Sequence, residues 1–158
     1  MAENVEGSRV PDFALDSDAH GRVTSEGLLG QAYVLYFYPK DGSGSCTDEA
    51  IAFSQALPAF RAKGAFVAGI SPDSIAKHAN FRRKYALDVP LLSDPDLAAS
   101  KAFGVWVEKQ MYGRAYMGVE RATFLVDATG YIRRVWRKVR VDGHVEAVLE
   151  ALETTSTP

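Results

Sequence analysis

Apolar residues fall into two periods along this chain, and the switches between them mark out its elements. Ala32–Tyr38 (AYVLYFY) is apolar almost throughout, which suits a central strand covered on both faces. Ala65–Ile70 reads as a second buried strand. Between them Ala50, Phe53, Leu57 and Phe60 keep a three-to-four spacing, predicting a helix from about Cys46 to Lys63 that Pro58 should kink or end early. A further helix is expected over Ser74–Tyr85, with Pro72 and Asp73 at its start. Pro90–Asp94 is a short extended segment and Asp96–Phe103 a short helix. Asp12–Leu15 and Arg22–Thr24 pair across Asp18–Gly21, and Ala122–Asp127 and Tyr131–Val139 form a hairpin across Ala128-Thr129-Gly130. The last helix places Val145, Val148, Leu149 and Leu152 on one face, and the tail, Thr154–Pro158, should fray. Strand–helix–strand first and hairpin plus helix last is the order of an α/β, thioredoxin-like fold: a central mixed β-sheet flanked by helices, in one domain over residues 1–158.

Composition narrows the partners. With 47% hydrophobic and 24% charged residues and a net charge of -2, the chain has the profile of a globular domain with no attraction to nucleic acid or an anionic membrane. The basic run Arg133, Arg134, Arg137, Lys138, Arg140 alternates with Ile132, Val135 and Val139, so it reads as the solvated face of a strand. The opening Met-Ala-Glu-Asn-Val-Glu-Gly is acidic and has no apolar core, and no apolar stretch reaches the ~20 residues that span a bilayer. A single cysteine forms no internal disulfide. The expected location is the cytosol.

That cysteine stands where chemistry is easiest. Tyr36-Phe-Tyr-Pro-Lys-Asp-Gly-Ser-Gly-Ser-Cys-Thr-Asp-Glu-Ala50 ends a strand, turns through glycine and serine, and begins a helix with Cys46 at its tip. Unpaired N–H groups and the positive end of the helix dipole favour a thiolate there. Asp48 and Glu49 oppose it, so a cation from elsewhere would help. A lone cysteine is more often a small buried hydrophobe; hydroxyl-bearing neighbours at a helix N-terminus favour reactivity. Other loop chemistries fail on specific positions. No lysine follows Gly42 or Gly44 as a phosphate loop requires, and Thr47 stands where a dinucleotide loop needs glycine. Ala52 stands where a cysteine phosphatase needs arginine. His20, His78 and His144 are scattered, with neither a metal-binding spacing nor a local cue placing a base beside Cys46.

Pro39-Lys-Asp-Gly-Ser43-Gly-Ser-Cys46 resembles the peroxiredoxin signature Pro-x-x-x-Thr/Ser-x-x-Cys. Tyr36–Asp41, Cys46–Ala50, Gly69–Ser74, Pro90–Asp94, Arg121–Asp127 and the Gly130 to Trp136 segment resemble the peroxiredoxin Q branch, also called bacterioferritin comigratory proteins. The likeness runs in order from about Val10 to Leu152. It implies a thioredoxin fold, no cofactor or metal, and an active site of Pro39, Ser43, Cys46 and Arg121. Cys46 would attack a peroxide oxygen and become a sulfenic acid. Arg121 would favour the thiolate and donate to the peroxide oxygens. Ser43 would orient the peroxide, Pro39 would shape and shield the pocket wall, and Glu49 would hold Arg121. Taken singly, Arg121 could be an edge charge, Ser43 a helix cap and Pro39 a strand terminator; their joint register with Cys46 favours the functional reading.

Two departures from the branch matter. Its Thr-Pro-Gly-Cys is here Ser43-Gly44-Ser45-Cys46, which trades a rigid proline for glycine. Relatives carry a resolving cysteine where this chain has Ile51, or in the next helix near Arg82. The resemblance therefore implies a one-cysteine peroxidase acting on hydrogen peroxide and small organic hydroperoxides. An external thiol of the thioredoxin, glutaredoxin or glutathione type would reduce it, and the chain would be a monomer or weak dimer. The rivals are a thiol redox sensor that passes oxidation to a partner protein, and a thioredoxin-like binding module with an inert Cys46.

Overall fold

The computed structural model describes residues 5–155. The first four residues of the acidic opening and the last three of the expected tail lie outside that range. Three strands at the centre of the main sheet match expectation closely. β3 (Tyr33–Phe37) lies between β4 (Phe66–Ser71), to which it is parallel, and β8 (Ala122–Val126), to which it is antiparallel. β9 (Ile132–Trp136) closes one edge against β8. On the other side β5 (Leu91–Ser93) runs parallel to β4, followed by β1 (Ala14–Ser17) and β2 (Arg22–Thr24), both antiparallel to their neighbours. The order is β2-β1-β5-β4-β3-β8-β9, a mixed sheet.

The side chains of β3 show why this sheet must be covered twice. Tyr33, Leu35 and Phe37 enter one hydrophobic cluster with Phe13, Phe103 and Phe124. Val34 and Tyr36, followed by Tyr38, enter the other with Phe53, Phe60, Val148 and Leu152. The second cluster is roofed by α1 (Gly44–Ala62), α2 (Ile75–Tyr85) and α4 (His144–Thr155); the short α3 (Ala98–Ala102) contributes Ala99 to the first. Gly69 sits opposite Tyr36, and a Cβ there would lie 2.6 Å from that ring, so only glycine lets the tyrosine cross β4.

Two expectations change and one is narrowed. Pro58 does not end α1, which continues to Ala62: proline removes one backbone bond, but buried Leu57 and Phe60 still anchor the last turn. α4 runs on through Thr155 where fraying was expected from Thr154, because Ala151 and Leu152 are buried and the Thr154 hydroxyl donates to the Ala151 carbonyl. The basic run is only partly a strand face. β9 stops at Trp136, a register shift at Leu125/Val126 breaks strict alternation, and Arg133, Arg134 and Arg137 pair with Asp127, Glu6 and Glu120. The pattern also does not predict the separate ribbon of β6 (Trp106–Met111) and β7 (Arg114–Val119), whose positions are mostly exposed or half-buried and so lack a core-facing stripe.

Candidate active site

α1 begins two residues before Cys46, and Ser43 is its N-cap residue in an extended conformation. Cys46 therefore lies in the first turn, where the helix N–H groups have no intrahelical acceptors. Its side chain is 1% exposed, between the sheet and the helix. The cation comes from Arg121, immediately before β8, the strand that flanks β3. Arg121 Nη2 donates to Cys46 Sγ at 3.2 Å and to Ser45 Oγ at 2.9 Å, while Nη1 donates to Glu49 Oε1 at 2.6 Å. The Arg121 carbonyl accepts from Val139 N, which holds the backbone behind the guanidinium. Glu49 follows Cys46 by one helical turn on the same face, so the carboxylate and the sulfur meet one guanidinium from the same side.

The surroundings are strongly desolvated. Glu49 is fully buried, and burial pushes its carboxyl up to about 7 against the pull of Arg121. Only one of its oxygens is bonded; Oε2 has no partner among the described residues. Tyr36 stacks on Phe53 at 4.4 Å and on Tyr38 at 5.6 Å beneath α1, and burial, then the neighbouring Glu49, push its hydroxyl well above its ordinary range. His144 packs edge-on against Phe53 and Trp136 and meets Thr123 Oγ1 at 2.8 Å; burial, then Arg121, lower it to about 4. It is a neutral core histidine.

Ser43 occupies the cap position without capping: its hydroxyl makes no bond to the first turn, and Thr47 N bonds to the Ser43 carbonyl instead. The buried Ser43 Oγ has no partner among the described residues. Pro39 is half-buried where the chain leaves β3, and the loop turns at Gly42, whose φ of +89° favours glycine. Cys46, Arg121 and Glu49 are thus in contact, with Ser43 and Pro39 on the loop leading to the thiol. Sequence reasoning missed Ser45, which shares Nη2 with the sulfur, and the buried partners of Asp41; a serine beside the cysteine and an aspartate inside the loop were the available signals. The two positions at which the resemblance implies a second cysteine carry other contacts. Ile51 packs against the core, and Arg82 binds Asp18 and donates to the Leu87 and Val89 carbonyls at 2.6 and 2.8 Å. A cavity of about 780 Å³ along Asp12–Ala14 and Thr24–Gly27 includes none of these residues.

Comparison with known proteins points the same way. The AhpC/TSA family model matches residues 7–135. Peroxiredoxin Bcp of Xanthomonas campestris is 43% identical over 142 residues, 90% of this chain and 89% of that protein. Peroxiredoxin Bcp of Bacillus subtilis is 41% identical over 150 residues, covering 95% and 96%. A solved structure of Xanthomonas campestris peroxiredoxin Q superposes with a TM-score of 0.87 at 41% identity, over 92% of each chain. A structure of that organism's bacterioferritin comigratory protein, described for its alkyl peroxide reduction activity, matches with the same TM-score, identity and coverage.

Proposed function

Because the chain belongs to the AhpC/TSA family and is a peroxiredoxin, a thiol-dependent peroxidase of the Bcp or Q branch, we propose that it reduces hydrogen peroxide and small organic hydroperoxides through Cys46 alone. The observation that carries this is the 3.2 Å contact between Arg121 Nη2 and Cys46 Sγ, with Glu49 holding the other arm of the guanidinium. The thiolate attacks one peroxide oxygen. An S–O bond forms as the O–O bond breaks, and the departing alkoxide or hydroxide takes a proton to leave as alcohol or water. Arg121 donates to the oxygens as charge moves across them, and the Ser43 hydroxyl, which has no partner among the described residues, orients the bound peroxide. Pro39 lacks an N–H and shields the pocket wall. The alkyl peroxide activity described for the Xanthomonas protein supports organic hydroperoxides as substrates.

Cys46 is the sequence's only cysteine, so no second thiol in the chain can condense with the sulfenic acid. An external thiol of the thioredoxin, glutaredoxin or glutathione type attacks the sulfur, releasing water and leaving a mixed disulfide. A second thiol then displaces Cys46 and restores it. We place this cycle in the cytosol, where such thiols are abundant, and in a monomeric or weakly dimeric protein. No described helix is long and apolar enough to cross a membrane.

The test is intact-protein mass spectrometry after one equivalent of peroxide, with and without each donor. One added oxygen that a donor removes, followed by sustained turnover, is the expected result; excess peroxide without donor should add two or three. If every donor leaves the sulfenic acid in place, the enzyme reading fails and the single-use sensor replaces it.

A further inference from the structure

The loop that carries Pro39 and Ser43 is held from beneath by a closed polar cluster with no part in the scheme above. Asp41, in the middle of that loop, is buried. Its Oδ1 accepts from Tyr38 Oη at 2.6 Å, and its Oδ2 lies 2.6 Å from His78 Nδ1. Its backbone N donates to Asp73 Oδ2 at 2.6 Å. His78 comes from α2 and is fully buried, and its Nε2 lies 2.9 Å from the Leu92 carbonyl of β5. Both ring nitrogens therefore face acceptors. A neutral imidazole has one N–H and satisfies only one of them; the imidazolium satisfies both.

We infer that His78 is a positioning residue for peroxide reduction, held as an imidazolium whose bond to Asp41 fixes the Pro39–Ser43 loop. The inference rests on the peroxidase reading for its rate prediction, though not for the protonation state. The groups facing His78 agree. Asp41 is on the loop, Asp73 precedes α2, and Tyr38 directly follows β3 with a hydroxyl that burial keeps protonated. The neighbouring cation Lys77 pairs with Asp73 at 2.9 Å. Burial opposes the charged ring, but the bond and charge of Asp41, the Leu92 carbonyl and the charge of Asp73 outweigh it, raising His78 above its ordinary value. The potential ligand atoms of Asp41, Asp73 and His78 lie within 4.8 Å of one another, as a metal site needs. Each carboxylate oxygen and ring nitrogen is already engaged within the cluster, which is the pattern of an ion-pair lock.

The lock acts on the loop and not on the sulfur, which separates it from a general structural role. His78→Ala should slow reaction with hydrogen peroxide by about tenfold, the size of one charge-assisted bond, while iodoacetamide alkylation of Cys46 stays within about twofold. His78→Asn keeps a donor toward Asp41 and should recover part of the peroxide rate. Nitrogen-detected NMR of the wild-type ring at pH 7.5 should show both His78 nitrogens protonated. One bare nitrogen overturns the imidazolium, even if the alanine variant does not fold. Equal slowing of both reagents overturns the positioning role. A wild-type protein that consumes no peroxide, yet shows both nitrogens protonated, would instead break the peroxidase reading.

Discussion

Replacing Glu49 by glutamine should make the protein more stable above neutral pH and a slower enzyme at once. Glu49 is fully buried, one of its oxygens has no partner among the described residues, and its carboxyl is pushed by burial from 4.5 to about 7 despite Arg121. In the unfolded chain that carboxyl titrates near its ordinary value. Between about pH 4.5 and 7, then, the unfolded state has released a proton that the folded state still holds. Stability tied to this group is fully present below 4.5 and is lost as pH rises through about 7, by about 3 kcal/mol for a gap of this size. Glutamine matches the protonated acid in shape and does not titrate. Relative to wild type, Glu49→Gln should gain about 3 kcal/mol between pH 4.5 and pH 8. Above about pH 7, where Glu49 is ionised, the same change replaces the ion pair with Arg121 by a bond to a neutral amide, so the second-order rate with peroxide should fall about tenfold there. Urea unfolding of both proteins at pH 4.5, 6 and 8, with stopped-flow peroxide kinetics, measures both effects. A stability difference that is flat with pH would show that burial of this carboxyl is not costly. An unchanged rate would show that Glu49 does not hold Arg121 for catalysis.

Arg121→Ala removes the guanidinium from Cys46, Ser45 and Glu49 together and should lower the peroxide rate by about 10²–10³-fold. Alkylation by iodoacetamide should slow as well, since the thiolate loses its cation; unchanged kinetics would remove Arg121 from the site. Ser43→Ala should slow reaction with peroxide more than with iodoacetamide, which needs no hydroxyl to orient it, and equal slowing would leave Ser43 a structural role. His144 is lowered from 6.5 to about 4, so the stability it contributes is present above 6.5 and lost as pH falls toward 4, by about 3 kcal/mol. His144→Gln should flatten that acid-side loss in a urea titration, and an unaltered acid slope would show that this histidine is not its source.

Much of this protein is legible along the chain. Strand β3 announces itself as an unbroken apolar run because both of its faces are buried, and α1 because Ala50, Phe53, Leu57 and Phe60 fall on one face. Cys46 at a strand–turn–helix junction carries its own argument, since the helix terminus that favours a thiolate is a local feature. Local signals fail where stability comes from elsewhere. The β6–β7 ribbon has no buried stripe to betray it, and α1 passes Pro58 because Leu57 and Phe60 are anchored in a core that the helix sequence does not contain. The site is likewise divided. Residues 39–49 place the thiol, the loop and Glu49 within one stretch of chain, but Arg121 reaches the sulfur only because β8 pairs with β3. His78 reaches Asp41 only because α2 packs over the same sheet, 37 residues further along. Spacing could not reveal that a histidine with no sequence neighbour of interest has acceptors at both nitrogens. Protonation depends on what surrounds a side chain in space, and for Glu49, His78 and His144 the folded core supplies those surroundings.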